Sequence, residues 1–154
     1  MFKRFALLLF VVGAVSAIPA AAASDNSAVM ATVNQFIDGF NKGDTKMAVA
    51  ACASPAWIVD EFGRHEWVGP TACADWARDA VADDAKNGTT DGIVTLGKPW
   101  HLDVSGNVAY VVVPATYSYK RHGNAEQERG SVWTLVLKKS PAGWRIAAWA
   151  WAAH

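Results

Sequence analysis

The sequence has 154 residues, of which 14 are Lys or Arg, 14 are Asp or Glu and four are His, so the formal net charge is zero. Charges of both signs are scattered and no basic patch of the kind that binds a phosphate backbone is present, which argues against a nucleic-acid partner. If an N-terminal leader of about 23 residues is removed, about 130 residues remain. This length is enough for one domain with one core and too short for two domains.

The first 23 residues have the three-part layout of a signal peptide. A short basic head precedes an apolar run, and Ala21 and Ala23 provide the small-x-small pattern for cleavage after Ala23. A membrane anchor is the alternative, but it needs about 20 uninterrupted apolar residues, and this run is broken by Pro19. We therefore expect an exported protein, periplasmic or secreted, whose residues 24–154 form one domain without a membrane segment.

Three helices are predicted from apolar periodicity and from residues that begin or end helices. The first spans residues 27–42, because apolar residues recur there at steps of three and four. A short second helix spans residues 45–53 and is stopped by Pro55. The third spans residues 70–86, an alanine-rich run with a proline in its first turn and an Asn-Gly pair at its end. The stripe of the first helix comprises Val29, Val33, Phe36, Ile37 and Phe40.

The other segments have the composition of strands. "AWIVDEFGRHEWVG" (residues 56–69) predicts a strand and a hairpin that turns through Gly63. After the third helix, four long antiparallel strands are predicted, because β-branched and aromatic runs alternate with turn sequences. Pro114 and Gly130 interrupt two of them and predict bulges or bends that let the sheet curl.

Both sides of the last predicted strand are apolar. Strict alternation places Trp149 and Trp151 on one side and Trp144 and Ile146 on the other. Neither side is polar enough for plain solvent, so we expect helices to cover one side and a ligand or a second subunit to meet the other. A homodimer through the sheet is thus one expected arrangement.

Cys52 and Cys73 are the only cysteines. Export would permit a disulfide between them, but two buried free thiols are equally compatible with the sequence. A metal site is not predicted, because there is no C-x-x-C spacing and the four histidines are dispersed. No cofactor is predicted either, because no glycine-rich loop precedes a helix.

Three motifs resemble those of one superfamily. "QFIDGFNKGD" (residues 35–44) is similar to the end of its first helix, "WVGPTACADWA" (residues 67–77) to the start of its third helix, and "GWRIAAWAWA" (residues 143–152) to its closing strand. The order and spacing of these motifs resemble the nuclear transport factor 2 (NTF2)-like superfamily, in particular its SnoaL-like and ketosteroid-isomerase-like branches. The resemblance implies an α+β cone in which three N-terminal helices pack on a curved antiparallel sheet.

The resemblance also implies where catalytic groups would lie. In the steroid isomerase branch an aspartate base ends the first strand, a tyrosine lies on the first helix and a protonated aspartic acid lies on a late strand. These positions correspond here to Asp60, Phe36 and about Thr134, so both oxyanion donors are missing. Losing one such donor typically slows catalysis by about 10²- to 10³-fold, so steroid isomerase activity is not expected.

Asp60 and His65 are the candidate catalytic residues. Alternation places Asp60 on one face with Ile58 and Phe62, where loss of water would raise its pKa and suit it to general acid or base chemistry. His65 could face Asp60 across the hairpin and form an Asp-His dyad. The alternatives are a carboxylate at the rim that pairs with Arg64 and a hydrated loop histidine.

Aromatic residues are the candidate ligand-binding residues, because aromatic walls with a few polar groups bind small apolar molecules. Core packing is the alternative role for each of them. The candidates are Phe36, Trp57, Trp67, Tyr117, Trp133, Trp149 and Trp151.

The sequence thus predicts an exported domain that binds a small, largely apolar molecule in an aromatic pocket. One alternative is an isomerase, cyclase or dehydratase that uses Asp60 and His65 as general acid and base. Another is a module for dimerisation or protein interaction.

Overall fold

The computed structural model describes residues 20–153, with side chains from residue 25 onward. The predicted signal peptide lies almost entirely outside these residues, so its cleavage and the export of the chain stay predictions. None of the helices in the described part combines the length and the apolar character that crossing a membrane requires.

Three helices and seven strands make up the described part. The helices are α1 (Ala20–Asn41), α2 (Thr45–Ala50) and α3 (Ala72–Asn87). The strands are β1 (Cys52–Val59), β2 (Glu66–Gly69), β3 (Thr89–Leu96), β4 (His101–Ser105), β5 (Val108–Arg121), β6 (Asn124–Ser140) and β7 (Gly143–Ala152).

Helix α1 packs its predicted apolar stripe on the sheet. Val29 and Val33 are fully buried and Phe36 is nearly so, although the helix begins earlier than the sequence pattern predicts. The end of α1 is held by Asn41, whose side chain donates a hydrogen bond to the carbonyl of Val94 at 2.9 Å and accepts one from its N–H at 2.8 Å. This pair of bonds fixes the end of α1 over β3.

Helix α2 is shorter than predicted. It ends at Ala50, because Cys52 already pairs with Ile146 of β7. Pro55 lies inside β1 and does not stop the helix. The pairing between β1 and β7 is interrupted between Cys52 and Trp57, and Pro55 lies in this interval. A proline is tolerated there because its missing N–H is not needed for pairing.

Helix α3 begins after the predicted proline. Thr71 is the N-cap residue and Pro70 precedes it, so the proline does not lie in the first turn. The predicted end is confirmed: Gly88 adopts a left-handed φ of 64° and its N–H bonds to the carbonyl of Asp84, the usual role of glycine after a helix.

The sheet is mixed, in contrast to the antiparallel sheet expected. Its strand order is β2-β1-β7-β6-β5-β3, and β4 pairs with the other part of β5. Strand β1 runs parallel to β7, because α3 and the strands after it separate the two along the chain. Five strands follow α3 where four were expected, since residues 97–100 divide the first long segment into β3 and β4. The three helices are not all N-terminal, because β1 and β2 precede α3.

Two bulges bend the sheet. One lies at Gly130, where the pairing of β5 with β6 shifts between Ala115 and Thr116, as predicted. The other lies at Ala147, where the pairing of β6 with β7 shifts. This second bulge reverses the alternation of β7, so Trp149 pairs with Leu135 on the same face on which Ile146 pairs with Leu137. The predicted division of β7 into two apolar faces is therefore wrong.

The helices cover the concave face of the sheet, and a disulfide fastens them to it. The Sγ atoms of Cys52 and Cys73 are bonded, and the two Cα atoms are 6.5 Å apart. The structure thus has the bridge and not the two free thiols. It ties the first turn of α3 to the start of β1, and a loop of this length typically contributes about 3 kcal/mol to the free energy of unfolding.

Candidate functional site

A cavity of about 200 Å³ opens between α1, α3 and the concave face of the sheet. We call it the aromatic cavity. Aromatic rings from α1, from α3 and from the sheet form a large part of its wall. The aromatic lining residues of these three layers include Phe36, Phe40, Trp76, Tyr117, Trp133, Trp149 and Trp151.

The rings support one another in fixed orientations. The centroid of Phe36 lies 5.0 Å from that of Trp149 and 5.4 Å from that of Trp133. Trp76 meets Trp149 edge to face, at 5.4 Å and 85°. Tilted and edge-to-face contacts of this kind are the favoured ones between aromatic side chains. The walls of the cavity are therefore formed by side chains that already have packing partners.

The carboxyl group of Asp60 projects into this aromatic surrounding from the end of β1. It is only 8 % exposed. The indole Nε1 of Trp76 donates a hydrogen bond to its Oδ2 at 2.9 Å, and the N–H of Glu61 donates one to its Oδ1 at 2.8 Å. Burial nevertheless outweighs these two bonds and raises the pKa of Asp60 to about 6.

His65 does not form the predicted dyad with Asp60. Its Nδ1 lies 3.1 Å from the main-chain carbonyl oxygen of Asp60, while the carboxylate oxygens are engaged by Trp76 and by the N–H of Glu61. His65 also receives the N–H of Asp60 at its carbonyl, so it closes the loop and lies outside the cavity lining. The alternative pairing with Arg64 is not formed either, since that guanidinium lies 3.9 Å from Asp79.

Four acidic residues of the cavity lining were missed from the sequence, namely Asp83 and Asp84 of α3 together with Glu61 and Glu128. Partial loss of water and then the negative charge of Glu128 raise the pKa of Glu61 to about 7. Glu128 Oε1 accepts hydrogen bonds from Trp151 Nε1 at 3.0 Å and from the hydroxyl of Ser131. Glu61 and Glu128 line the cavity together with Asp60.

Irregular backbone explains why Glu61 and Glu128 were missed. Strand β1 ends at Val59, so Glu61 is free of the alternation that would have turned it away from the cavity. The bulge at Gly130 shifts the alternation of β6, so Glu128 joins Ser131 and Trp133 on the inner face. The predicted bulge at Gly130 was the one signal in the sequence for Glu128.

Five of the seven predicted ligand-binding residues line the cavity, namely Phe36, Tyr117, Trp133, Trp149 and Trp151. Trp67 does not, because it is a core residue that packs against Phe62 and donates its Nε1 hydrogen to Asp79. Trp57 does not either, because its side chain is 54 % exposed on the outer face of the sheet. The homodimer through the sheet stays a prediction.

Phe36 and Thr134 occupy the two positions where the steroid isomerase branch has its oxyanion donors. Phe36 lines the cavity without a hydroxyl group, and Thr134 follows the buried Trp133 along β6 and lies on the opposite face. Tyr117 lines the cavity with its phenol ring, and burial raises the pKa of this side chain above the usual range. Among residues 25–153, no group of three His, Cys, Asp or Glu side chains is arranged to hold a metal ion.

The sequence matches no protein-family model and no curated protein. Solved structures with the same architecture are numerous. An NTF2-like superfamily protein from Salmonella enterica serovar Typhimurium is 15 % identical, with a TM-score of 0.72 over 85 % of this chain and 92 % of that one. An NTF2-like protein with a cystatin-like fold from Novosphingobium aromaticivorans is 17 % identical, with a TM-score of 0.69 over 85 % and 82 %.

A ketosteroid isomerase-like protein from Erwinia carotovora atroseptica is also similar. It is 16 % identical, with a TM-score of 0.67 over 84 % of this chain and 95 % of that one. Identities this low carry information about the fold alone. The helices, the curved sheet and these neighbours together show that the chain has the fold of the NTF2-like superfamily, as its sequence motifs predicted.

Proposed function

We propose that this protein binds a small, largely apolar molecule in the aromatic cavity. The observation that carries the proposal is a preformed cavity lined mainly by aromatic and apolar side chains, with acidic groups among them, and small-molecule sites commonly combine apolar walls with polar groups in this way. Its volume of about 200 Å³ suits a compact molecule. An apolar cavity of roughly 150 Å³ is enough to hold benzene.

Filling the cavity tests this proposal. Ala80 of α3 lines the cavity, whereas Ala74 of the same helix is exposed. A library of one-ring compounds is screened by tryptophan fluorescence, since four indoles face the bound molecule. We expect Ala80→Leu to weaken binding of any hit by at least about tenfold through lost volume, and Ala74→Leu to leave it unchanged. Equal binding by both variants would place the hit elsewhere.

An enzyme of the isomerase, cyclase or dehydratase type is the second candidate function. It is favoured by two carboxyl groups on the same cavity with different raised pKa values, about 6 for Asp60 and about 7 for Glu61. Carboxyl groups that titrate near neutral pH suit general acid and base chemistry. Glu61 replaces His65 in this scheme, because His65 lies outside the cavity lining.

Separating binding from turnover tests the second candidate. Native mass spectrometry of protein purified from its source would identify a molecule held in the cavity. With that molecule as substrate, Asp60→Asn should abolish turnover while binding stays measurable. If the wild-type protein releases the molecule unchanged, the catalytic proposal fails and the binding proposal stands.

Export is part of the proposal and rests on two features. The first 23 residues have the layout of a signal peptide, and Cys52 and Cys73 are bridged, which suits an oxidising compartment. N-terminal sequencing of the protein from its source should start at Ser24. A protein that starts at Met1 would contradict this proposal.

A further inference from the structure

The polar groups around the aromatic cavity carry a strong excess of negative charge. Its lining contains five carboxyl groups and a single guanidinium. The carboxyl groups belong to Asp60, Glu61, Asp83, Asp84 and Glu128, and the guanidinium belongs to Arg121. This imbalance is local, because the chain as a whole has equal numbers of acidic and basic residues.

Arg121 is already engaged. Its Nε lies 3.1 Å from Glu126 Oε2, and its Nη2 donates a hydrogen bond to the hydroxyl of Tyr119 at 3.0 Å. Both contacts lie at the exposed end of β5, where its guanidinium also stacks over the Tyr119 ring. It therefore balances a surface carboxylate, and among residues 25–153 no salt bridge reaches any of the five lining carboxyl groups.

The hydrogen bonds of the cavity hold its acids in place without neutralising them. Trp76 and Trp151 donate their indole N–H groups to Asp60 and Glu128, and both acids line the cavity. An anionic ligand would meet these acids at close range and be repelled. A ligand with a positive charge would meet carboxylates on one side and the electron-rich faces of aromatic rings on the others, the arrangement that attracts ammonium groups.

We propose that the ligand of the aromatic cavity is a small organic cation, an amine or quaternary ammonium group attached to an apolar body of about one ring. This inference rests on the proposed binding function and adds the charge of the ligand to it. Loss of water raises the pKa values of Asp60 and Glu61, and the charge of Glu128 contributes to both. Bound cations favour the ionised form of neighbouring carboxyl groups.

A pair of probes with the same shape and different charge tests the inference. Phenyltrimethylammonium and tert-butylbenzene are one-ring molecules of the same shape. The first has a positively charged nitrogen where the second has a neutral carbon. Their affinities for the full protein are measured by isothermal titration calorimetry at pH 7.5. We expect the cation to bind at least about tenfold more tightly, because each nearby carboxylate and ring face adds attraction.

Charge-removing variants locate the effect. Glu128→Gln keeps an acceptor for Trp151 and Ser131 but removes the negative charge, so it should lower the affinity for phenyltrimethylammonium by about tenfold. Asp103→Asn removes the same charge from an exposed position on β4, outside the cavity, and should change nothing. Circular dichroism establishes that both variants are folded.

The remaining outcomes separate the two proposals. If tert-butylbenzene binds as tightly as the cation, the inference of a cationic ligand is overturned and the binding function stands. If the Asp103→Asn control loses as much affinity as Glu128→Gln, the preference is a property of overall charge and the inference also fails. If neither probe binds, the inference of a cationic ligand is overturned, and the library screen with Ala80→Leu and Ala74→Leu tests the binding function separately.

Discussion

The indole Nε1 of Trp76 donates a 2.9 Å hydrogen bond to Oδ2 of Asp60, and this bond joins the second turn of α3 to the end of β1 inside an aromatic wall. The bond holds the carboxyl group of Asp60 at a position with little access to solvent. The bond favours the ionised acid, yet burial has the larger effect and the pKa of Asp60 rises to about 6. A buried acid that is hard to ionise makes stability depend on pH in an unusual direction.

Asp60→Asn should stabilise the protein more at pH 8 than at pH 4. The pKa of Asp60 is higher in the folded protein than in the unfolded chain, near 3.8, so the folded state binds the proton more tightly. Ionisation therefore weakens the fold. This loss is absent below the unfolded pKa, grows between about pH 4 and pH 6, and is fully present above.

Urea unfolding at the two pH values measures this effect. The difference in free energy of unfolding between Asp60→Asn and wild type should be more favourable at pH 8 than at pH 4, by about 3 kcal/mol at most. Asp103→Asn, an exposed acid on β4, is the matched control and should show the same difference at both pH values. A pH-independent difference for Asp60→Asn would contradict the prediction.

Trp151→Phe should destabilise the protein through loss of one hydrogen bond. The ring is retained, but Glu128 Oε1 loses the N–H that Trp151 donates at 3.0 Å. Hydrogen bonds to charged groups contribute about 1.5–3 kcal/mol, and the partly exposed position favours the lower value. Trp100→Phe, at a side chain that is 66 % exposed, is the control and should have almost no effect in urea unfolding.

Gly130→Ala should cost about 1–2 kcal/mol, because the φ of Gly130 is +82° and a side chain there is strained. Gly130→Asn should cost less, since Asn tolerates positive φ better than Ala. The two variants are compared by thermal unfolding. If Ala and Asn give the same stability, strain at the bulge is not the cause of the loss.

Breaking the disulfide should lower the free energy of unfolding by about 3 kcal/mol, because the unfolded chain regains the freedom that the bridge removes. The Cys52→Ser, Cys73→Ser double variant and the wild type are compared in urea, each with and without reductant. Reductant should weaken the wild type and leave the double variant unchanged. Alkylation of both thiols in unreduced, denatured wild-type protein would show that no bridge exists.

Local patterns in the sequence predicted much of the fold. The apolar stripe of α1, the glycine that ends α3 and the bulge at Gly130 each depend on a few neighbouring residues, and the structure has all three. The parallel pairing of β1 with β7 was not predicted, because it joins segments far apart along the chain and leaves no mark on either. The bulge at Ala147 was also missed, since neither Gly nor Pro indicates it.

The candidate site was predicted least well where the backbone is irregular. Alternation placed Asp60 beside Ile58 and Phe62, and the structure has this arrangement. The same alternation places Trp57 on the opposite face, and its side chain is exposed there. The pattern of β1 therefore argues against Trp57 as a lining residue. Glu61 and Glu128 reach the cavity only because a strand ends and another bulges, and strict alternation cannot show either.

The position of β7 has a consequence for how the molecule is assembled. This strand lies in the interior of the sheet, between β1 and β6, although it follows every other strand that the structure describes. Among the described strands, β1 and β2 are joined to the rest of the sheet through β7. The concave face and the aromatic cavity are therefore complete only once β7 has inserted between the two parts of the sheet.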